Sequence, residues 1–228
     1  MPEVIPIGSD HAGFELKQRL VEELRALYQR ERPAYKERTL LIGGLIRELL
    51  DARGLRYSLE SRTKGVDNLC EKAFRNTKSY VDPLRDILDI SGIRIVTLLR
   101  RDVEVILSIL RAEFEVDETN SVDKGSDFDV NQFGYRSKHL IVRLNQQRRN
   151  QDEYRQALGW VEVQVRTAAQ HTWALLDTIV RYKATDHPPP KLQRRLYGLA
   201  ALLELVDREN EAIIEDWQLF LSDLAKQW

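Results

Sequence analysis

Four short runs in this 228-residue chain carry residue types whose spacing suits phosphate chemistry. Over 160–167 apolar and polar residues alternate, so Val161, Val163 and Val165 share one face of an expected strand and Glu162, Gln164 and Arg166 the other. Three such polar groups are costly to bury without partners, so their face must meet solvent or a ligand. Asp89 precedes the glycine of a DISGIR run, where a carboxylate either caps a turn or holds a cation. Lys64, Asn68 and Lys72 recur every fourth residue just after Arg62 and point the same way along or into a helix. Lysines and free N–H groups converging at a helix start make an anion site. In FGYRSKHL, Tyr135, Ser137 and His139 alternate onto one strand face, an aromatic ring beside hydrogen-bonding groups, which suits a nucleobase. Each run also has an ordinary reading, as solvated surface, turn cap or core, and it is their combination that points to a site.

The elements that must position these residues follow from periodicity. Apolar spacing predicts a helix over 14–30 that Pro33 breaks, and a second over 37–52 that Gly54 ends. Strands are expected at 55–62, 92–99, 135–144 and 160–167, and helices at 66–77, 101–112 and 168–183. The stretch 116–132 is polar, acidic and aperiodic and reads as a loop. The DHPPP run at 186–190 reads as a stop and hinge before two helices, or one long kinked helix, over 191–228. This order predicts an α/β or α+β fold, a mixed central sheet of about five strands flanked by helices. It divides into an N-terminal helical segment (1–54), a core (55–185) and a C-terminal helical extension (186–228) within one globular domain.

Composition narrows the classes. Hydrophobic residues make up 43% and charged residues 31%, as in a soluble globular protein rather than a disordered chain or a membrane bundle. Lys and Arg total 35 against 36 Asp and Glu, a net charge of -1, so a whole-surface grip on nucleic acid is not expected, although a local basic pocket is allowed. The single cysteine, Cys70, excludes an intramolecular disulfide and a Cys-rich zinc module. The N-terminal residues lack the pattern of a signal peptide, and no apolar run approaches the ~20 residues of a spanning helix, so a cytoplasmic location without membrane contact is expected.

The order R-T-K…N…K, D-I-S-G-I-R, G-Y-R-S-K-H, E-V-Q-V-R-T and W-A…Y-K, spread over 55–183, closely resembles the synthetase domain of the RelA/SpoT family. Members of that family are alarmone synthetases of nucleotidyltransferase-like fold, which move pyrophosphate from ATP onto the 3′-hydroxyl of GDP or GTP. The resemblance implies that Arg62 and Arg94 hold the adenine and that Lys64 and Lys72 hold the ATP phosphates. Asn68 stands where the family usually has serine. Asp89 and Glu162 would bind Mg²⁺ and form the catalytic pair, with Glu162 also a candidate general base. Tyr135 would stack on the acceptor base, with His139, Gln164, Arg166 and His171 completing the acceptor pocket and Trp173 and Tyr182 as scaffold.

Three departures bear on the acceptor. The run before Gly134 is SDFDVNQF, acidic at Asp127 and Asp129, where the family carries basic residues. Asp177 and Thr178 replace a usual Glu-His pair, and His171 replaces Asn or Asp. These features are similar to toxic small synthetases that modify the 3′-CCA end of tRNA or adenosine nucleotides, with Lys191, Arg194, Arg195, Arg148 and Arg149 as candidate docking residues. An antitoxin partner would then be expected. The last helices, with Trp217, Leu219, Phe220, Leu224 and Trp228, offer apolar surface for a homo-oligomer or for core packing. Finally, IPIGSDHAGFELKQ resembles the start of B-type ribose-5-phosphate isomerases, with Gly8, Asp10 and His11 as sugar-phosphate contacts, but nothing after it continues that fold.

Overall fold

The computed structural model describes residues 11–75, 79–124, 137–181 and 189–226. A 41-residue helix, α1 (His11–Asp51), leads into strand β1 (Tyr57–Thr63). Helix α2 (Val66–Ala73), the short α3 (Pro83–Asp86), β2 (Ser91–Thr97) and α4 (Arg100–Glu113) follow. Next come β3 (Phe114–Lys124), β4 (Ser137–Leu144), the one-turn α5 (Gln146–Arg149) and β5 (Val161–Thr167). Helices α6 (Ala168–Arg181) and α7 (Pro190–Ala225) end the described chain. The five strands form one mixed sheet in the order β1-β2-β5-β4-β3. Among the described strands only the β2–β5 pair is parallel. The expected class therefore holds. None of the described helices is long and apolar enough to cross a membrane.

One face of the sheet is the core. Ile93, Ile95, Leu140, Val142, Val161, Val163 and Val165 lie there beneath Ile42, Leu45, Ile46 and Leu50 of α1 and Val103, Ile106, Leu107 and Leu110 of α4. Gly43 lets α1 come close to β1, since a Cβ at that position would lie 2.5 Å from the Ser61 hydroxyl. Gly54 takes φ +65 just beyond α1, the left-handed stop expected of it.

Three expectations fail. Pro33 does not break the first helix but lies within α1. Proline removes one N–H and crowds the preceding turn at a cost of ~3 kcal/mol in a helix interior. Here Gln29 and Pro33 are exposed, so the carbonyl freed by the proline lies on the solvent side of the helix. The opposite side is tied down across the proline: the Tyr28 hydroxyl and Arg32 Nε both donate to the Lys64 carbonyl, at 2.7 and 3.2 Å, and the Tyr35 hydroxyl donates to the Leu84 carbonyl at 3.1 Å. Second, 116–124 of the expected loop 116–132 belongs to strand β3, and 125–132, with Asp127 and Asp129, lie outside the described residues. As the sheet edge β3 buries its start, where Phe114 and Val116 reach the core. Its register with β4 shifts between Asp117 and Val122, where Asp117 accepts from Asn120 N and Nδ2. An edge strand with a bulge has no alternation to read. Third, 190–225 runs as one continuous 36-residue helix, α7, and not as two helices. The isomerase-like residues Gly8 and Asp10, with Tyr135 and Tyr182, lie outside the described residues, and His11 opens α1.

Candidate active site

The second face of the sheet carries the polar residues. Register puts Glu162 opposite Gly92 and Gln164 opposite Arg94 on β2, Gln164 opposite His139 on β4, and Arg62 and Glu60 opposite Gly92 and Arg94 on β1. Residues directly opposite across a ladder share a face, so Arg62, Arg94, His139, Glu162, Gln164 and Arg166 all point away from the core. The valines between them on β5 are fully buried, which fixes that orientation.

The polar residues of β5 form a connected row. The Glu162 carboxylate meets His139 Nδ1 through Oε1 and accepts from Gln164 Nε2 through Oε2, both at 2.8 Å. Gln164 Oε1 in turn accepts from Arg166 Nη2 at 2.8 Å. Burial pushes the Glu162 carboxyl up and the nearby Asp89 charge adds to this, but His139 and Gln164 outweigh both, and the net shift is downward. Glu162 is thus held ionised, each of its oxygens taking one of these two hydrogen bonds.

Beside this row Lys64 and Lys72 converge. Each ammonium donates to the same oxygen, Asp89 Oδ2, at 2.9 Å. Lys64 leaves the end of β1 and is buried, while Lys72 stands in the last turn of α2 and is one-third exposed. Asp89 Oδ1 is buried and accepts no hydrogen bond among the described residues. Burial raises the Asp89 carboxyl, but Lys72 and Lys64 more than offset that, so it too lies below its ordinary value. Asn68 sits on the same helix but is exposed, and Arg62 is exposed at the end of β1. Neither is drawn into the clamp.

Asp89, with its buried Oδ1, and Glu162, whose carboxyl feels the Asp89 charge, are oxygen donors of the kind a hard divalent cation takes. No larger group of His, Cys, Asp and Glu converges among the described residues. Such a pair leaves most of the coordination shell to phosphate and water, as Mg²⁺ prefers.

Helix α6 stands over this face and encloses a cavity of about 280 Å³. Arg94, His139, Gln164 and Arg166 line the sheet side, and His171, Asp177 and Thr178 the helix side. Arg94 Nη1 pairs with Glu60 at 3.3 Å, and its buried Nε makes no hydrogen bond. Burial lowers the pKa of His171, and the charges of Arg166 and Arg94 lower it further, so its imidazole is neutral at neutral pH. A capping pair holds the start of α6: Thr167 N donates to Gln170 Oε1 at 2.9 Å and Gln170 N to Thr167 Oγ1 at 3.1 Å. The Thr167 hydroxyl donates onward to Asp207 of α7 at 2.9 Å. Trp173 is buried against Leu196 and Ala200, where α6 meets α7.

Four of the residues expected in the acceptor pocket therefore line one cavity, and Arg94, expected at the adenine, lines it with them. Sequence reasoning missed Glu60, which shows only as a polar residue in a strand, and the Asp207 tie, which bridges forty residues. Arg148 and Arg149, expected as docking residues, are engaged instead with Glu113 at 2.7 Å and Glu115 at 3.0 Å.

Residues 61–187 match the model of the region found in RelA / SpoT proteins, more than half of the chain, and the protein belongs to that family. Among its relatives, the GTP pyrophosphokinase YjbM of Bacillus subtilis (strain 168) is 28% identical over 152 residues, 67% of this chain and 69% of that protein. GTP pyrophosphokinase YwaC of the same organism is 27% identical over 155 residues, 66% of this chain and 70% of that one. The crystal structure of the small alarmone synthetase 1 from Bacillus subtilis bound to its product pppGpp superposes with a TM-score of 0.64 at 24% identity, over 85% of this chain and 99% of that one, which establishes the shared fold.

Proposed function

We propose that the protein is an ATP-dependent pyrophosphokinase that transfers the β,γ-pyrophosphate of ATP to the 3′-hydroxyl of GDP or GTP, giving guanosine tetra- or pentaphosphate. The observation that carries this reading is the adjacency, on one open sheet face, of the Lys64–Asp89–Lys72 clamp and the His139–Glu162–Gln164–Arg166 row. Two relatives named GTP pyrophosphokinases and a solved synthetase holding pppGpp support it. They do not favour transfer to a tRNA end or an adenosine nucleotide, and the engagement of Arg148 and Arg149 removes part of the basic surface that a tRNA would need.

In this reading the acceptor oxygen attacks the β-phosphorus of ATP, a new P–O bond forms, and the bond to the α,β-bridging oxygen breaks, with AMP carrying away the electron pair. Little covalent work falls to the protein, so positioning and charge neutralisation dominate. Lys64 and Lys72 hold the pyrophosphate oxygens. Arg62 and Arg94 flank the adenine. Glu162, kept ionised, orients the acceptor hydroxyl and takes its proton as the P–O bond forms. Asp89 and Glu162 would hold Mg²⁺, which supplies further charge neutralisation on the phosphates when bound. The exposed apolar residues of α7, among them Ile213, Trp217 and Phe220, support self-association through that helix.

The test is transfer from β/γ-labelled ATP with Mg²⁺, with GDP, GTP, ATP and bulk tRNA offered as acceptors in separate tubes. Label on GDP or GTP is expected. Label on tRNA or an adenosine nucleotide, with none on the guanosine nucleotides, would overturn the reading.

A further inference from the structure

The cavity under α6 is polarised along its length. Arg94 and Arg166 stand at its sheet side. Asp177 lies six residues beyond His171 on α6, and so on the order of 9 Å further along the helix axis. It is the one carboxylate among the described residues that line the cavity. Between these ends His171 is neutral, and Ala174 and Leu175 present an apolar strip against which a flat ring can lie.

We propose that Asp177 is the residue that selects guanine in this cavity. The proposal rests on the acceptor reading given above. Guanine presents two adjacent donors on one edge, the N1–H and the N2 amino group. A carboxylate accepts such a pair in parallel through its two oxygens, as it accepts the two parallel N–H groups of an arginine. Adenine puts a bare N1 lone pair on that edge, which a carboxylate repels. Hypoxanthine lacks the second donor, and xanthine places a carbonyl oxygen where guanine has the amino group. Arg166, at the sheet side, then faces the anionic part of the acceptor nucleotide. Asp177 thus has a use that does not conflict with the acceptor's phosphates: it meets the base.

The experiment measures kcat/KM for the diphosphates of guanosine, inosine and xanthosine at saturating ATP, for the wild type, Asp177→Asn and Asp177→Ala. A hydrogen bond to a charged group that is lost with the analogue predicts that the wild type prefers GDP to IDP by ~10–100-fold. Asp177→Ala should bring that ratio close to one. Asp177→Asn should lose activity with GDP by a similar factor and gain activity with the xanthosine nucleotide over the wild type, because the amide donates to the xanthine carbonyl while its own oxygen still accepts from N1–H. A gain cannot come from misfolding, so it separates recognition from damage. A GDP-to-IDP ratio unchanged in both variants, with no xanthosine gain, overturns the role of Asp177 while leaving the pyrophosphokinase reading intact. A wild type that labels no guanosine nucleotide overturns the acceptor reading and the proposal with it.

Discussion

The two faces of the central sheet are built from the same strands and obey opposite rules. On the core face Val161, Val163 and Val165 are fully buried beneath α1 and α4, within one hydrophobic cluster. On the site face Glu162, Gln164 and Arg166 alternate with them, linked to one another and to His139 by hydrogen bonds, while Asp89 Oδ1 and Arg94 Nε stay buried without one. A folded chain gains stability by satisfying every buried polar atom. The site face forgoes part of that stability and keeps charged, incompletely satisfied groups in place. The contrast teaches that stability and chemistry are divided here by strand parity, one residue apart along the chain.

That division can be broken most sharply at β5. Glu162→Gln keeps the side-chain volume and the hydrogen bond to His139 and removes the charge. It should lower the transfer rate by about 10³-fold and shift the melting temperature by no more than ~2 °C. A large loss of stability would mean that Glu162 holds the fold rather than the reaction. Its neighbour should behave in the opposite way. Val163→Ala removes two methyl groups from a sealed core and should cost ~2 kcal/mol of unfolding free energy in urea, with the kcat of the folded fraction within about twofold of wild type.

Lys64 and Lys72 sharpen the comparison, because they share Asp89 but differ in burial. Lys64→Met leaves a partly buried carboxylate with one cation fewer and should cost ~1–3 kcal/mol, while Lys72→Met, at a partly exposed position, should cost less than ~1 kcal/mol. Both should raise the KM for ATP. Equal stability losses would contradict the burial order.

The smallest effect expected is in pH dependence. Asp89 and Glu162 both have folded pKa values below their unfolded ones. Their contribution is therefore present above the unfolded carboxylate pKa, near 4, and is lost as pH falls through the folded values. Asp207 of α7 has a raised pKa because burial outweighs its bond from Thr167. Its contribution runs the other way, present at low pH and lost as pH rises through the folded value. Asp207→Asn should thus gain stability relative to wild type at pH 7, and the gain should shrink toward pH 4. Thermal melts across pH 4–8 test both signs. A constant difference between Asp207→Asn and the wild type would contradict the second.

Much of the site was legible in the sequence, and for a local reason. The alternation at 160–167 is a property of one strand, and side chains on a strand alternate whatever surrounds it. So the separation of Glu162 from Val163, the end of α1 at Gly54, and the placing of Lys64 and Lys72 on the elements that follow β1 could all be read from spacing. The strand at 114–124 could not, because an edge strand held by partner hydrogen bonds needs no pattern of its own. Pro33 misled for a related reason: its cost is local and its compensation, through Tyr28, Arg32 and Tyr35, lies thirty to fifty residues away.

By itself the sequence determined which residues face which way, where α1 stops, and that a polar row would meet something other than core. Only the tertiary structure decided that Asp89, Lys64 and Lys72 close on one oxygen, that His139 reaches across a strand to Glu162, that Arg94 turns to Glu60, and that Asp177 stands over the same cavity as Arg166. The physical reason is that backbone geometry sets the direction of a side chain within a few residues, whereas its partner is set by strand order and helix packing, which depend on the whole chain at once.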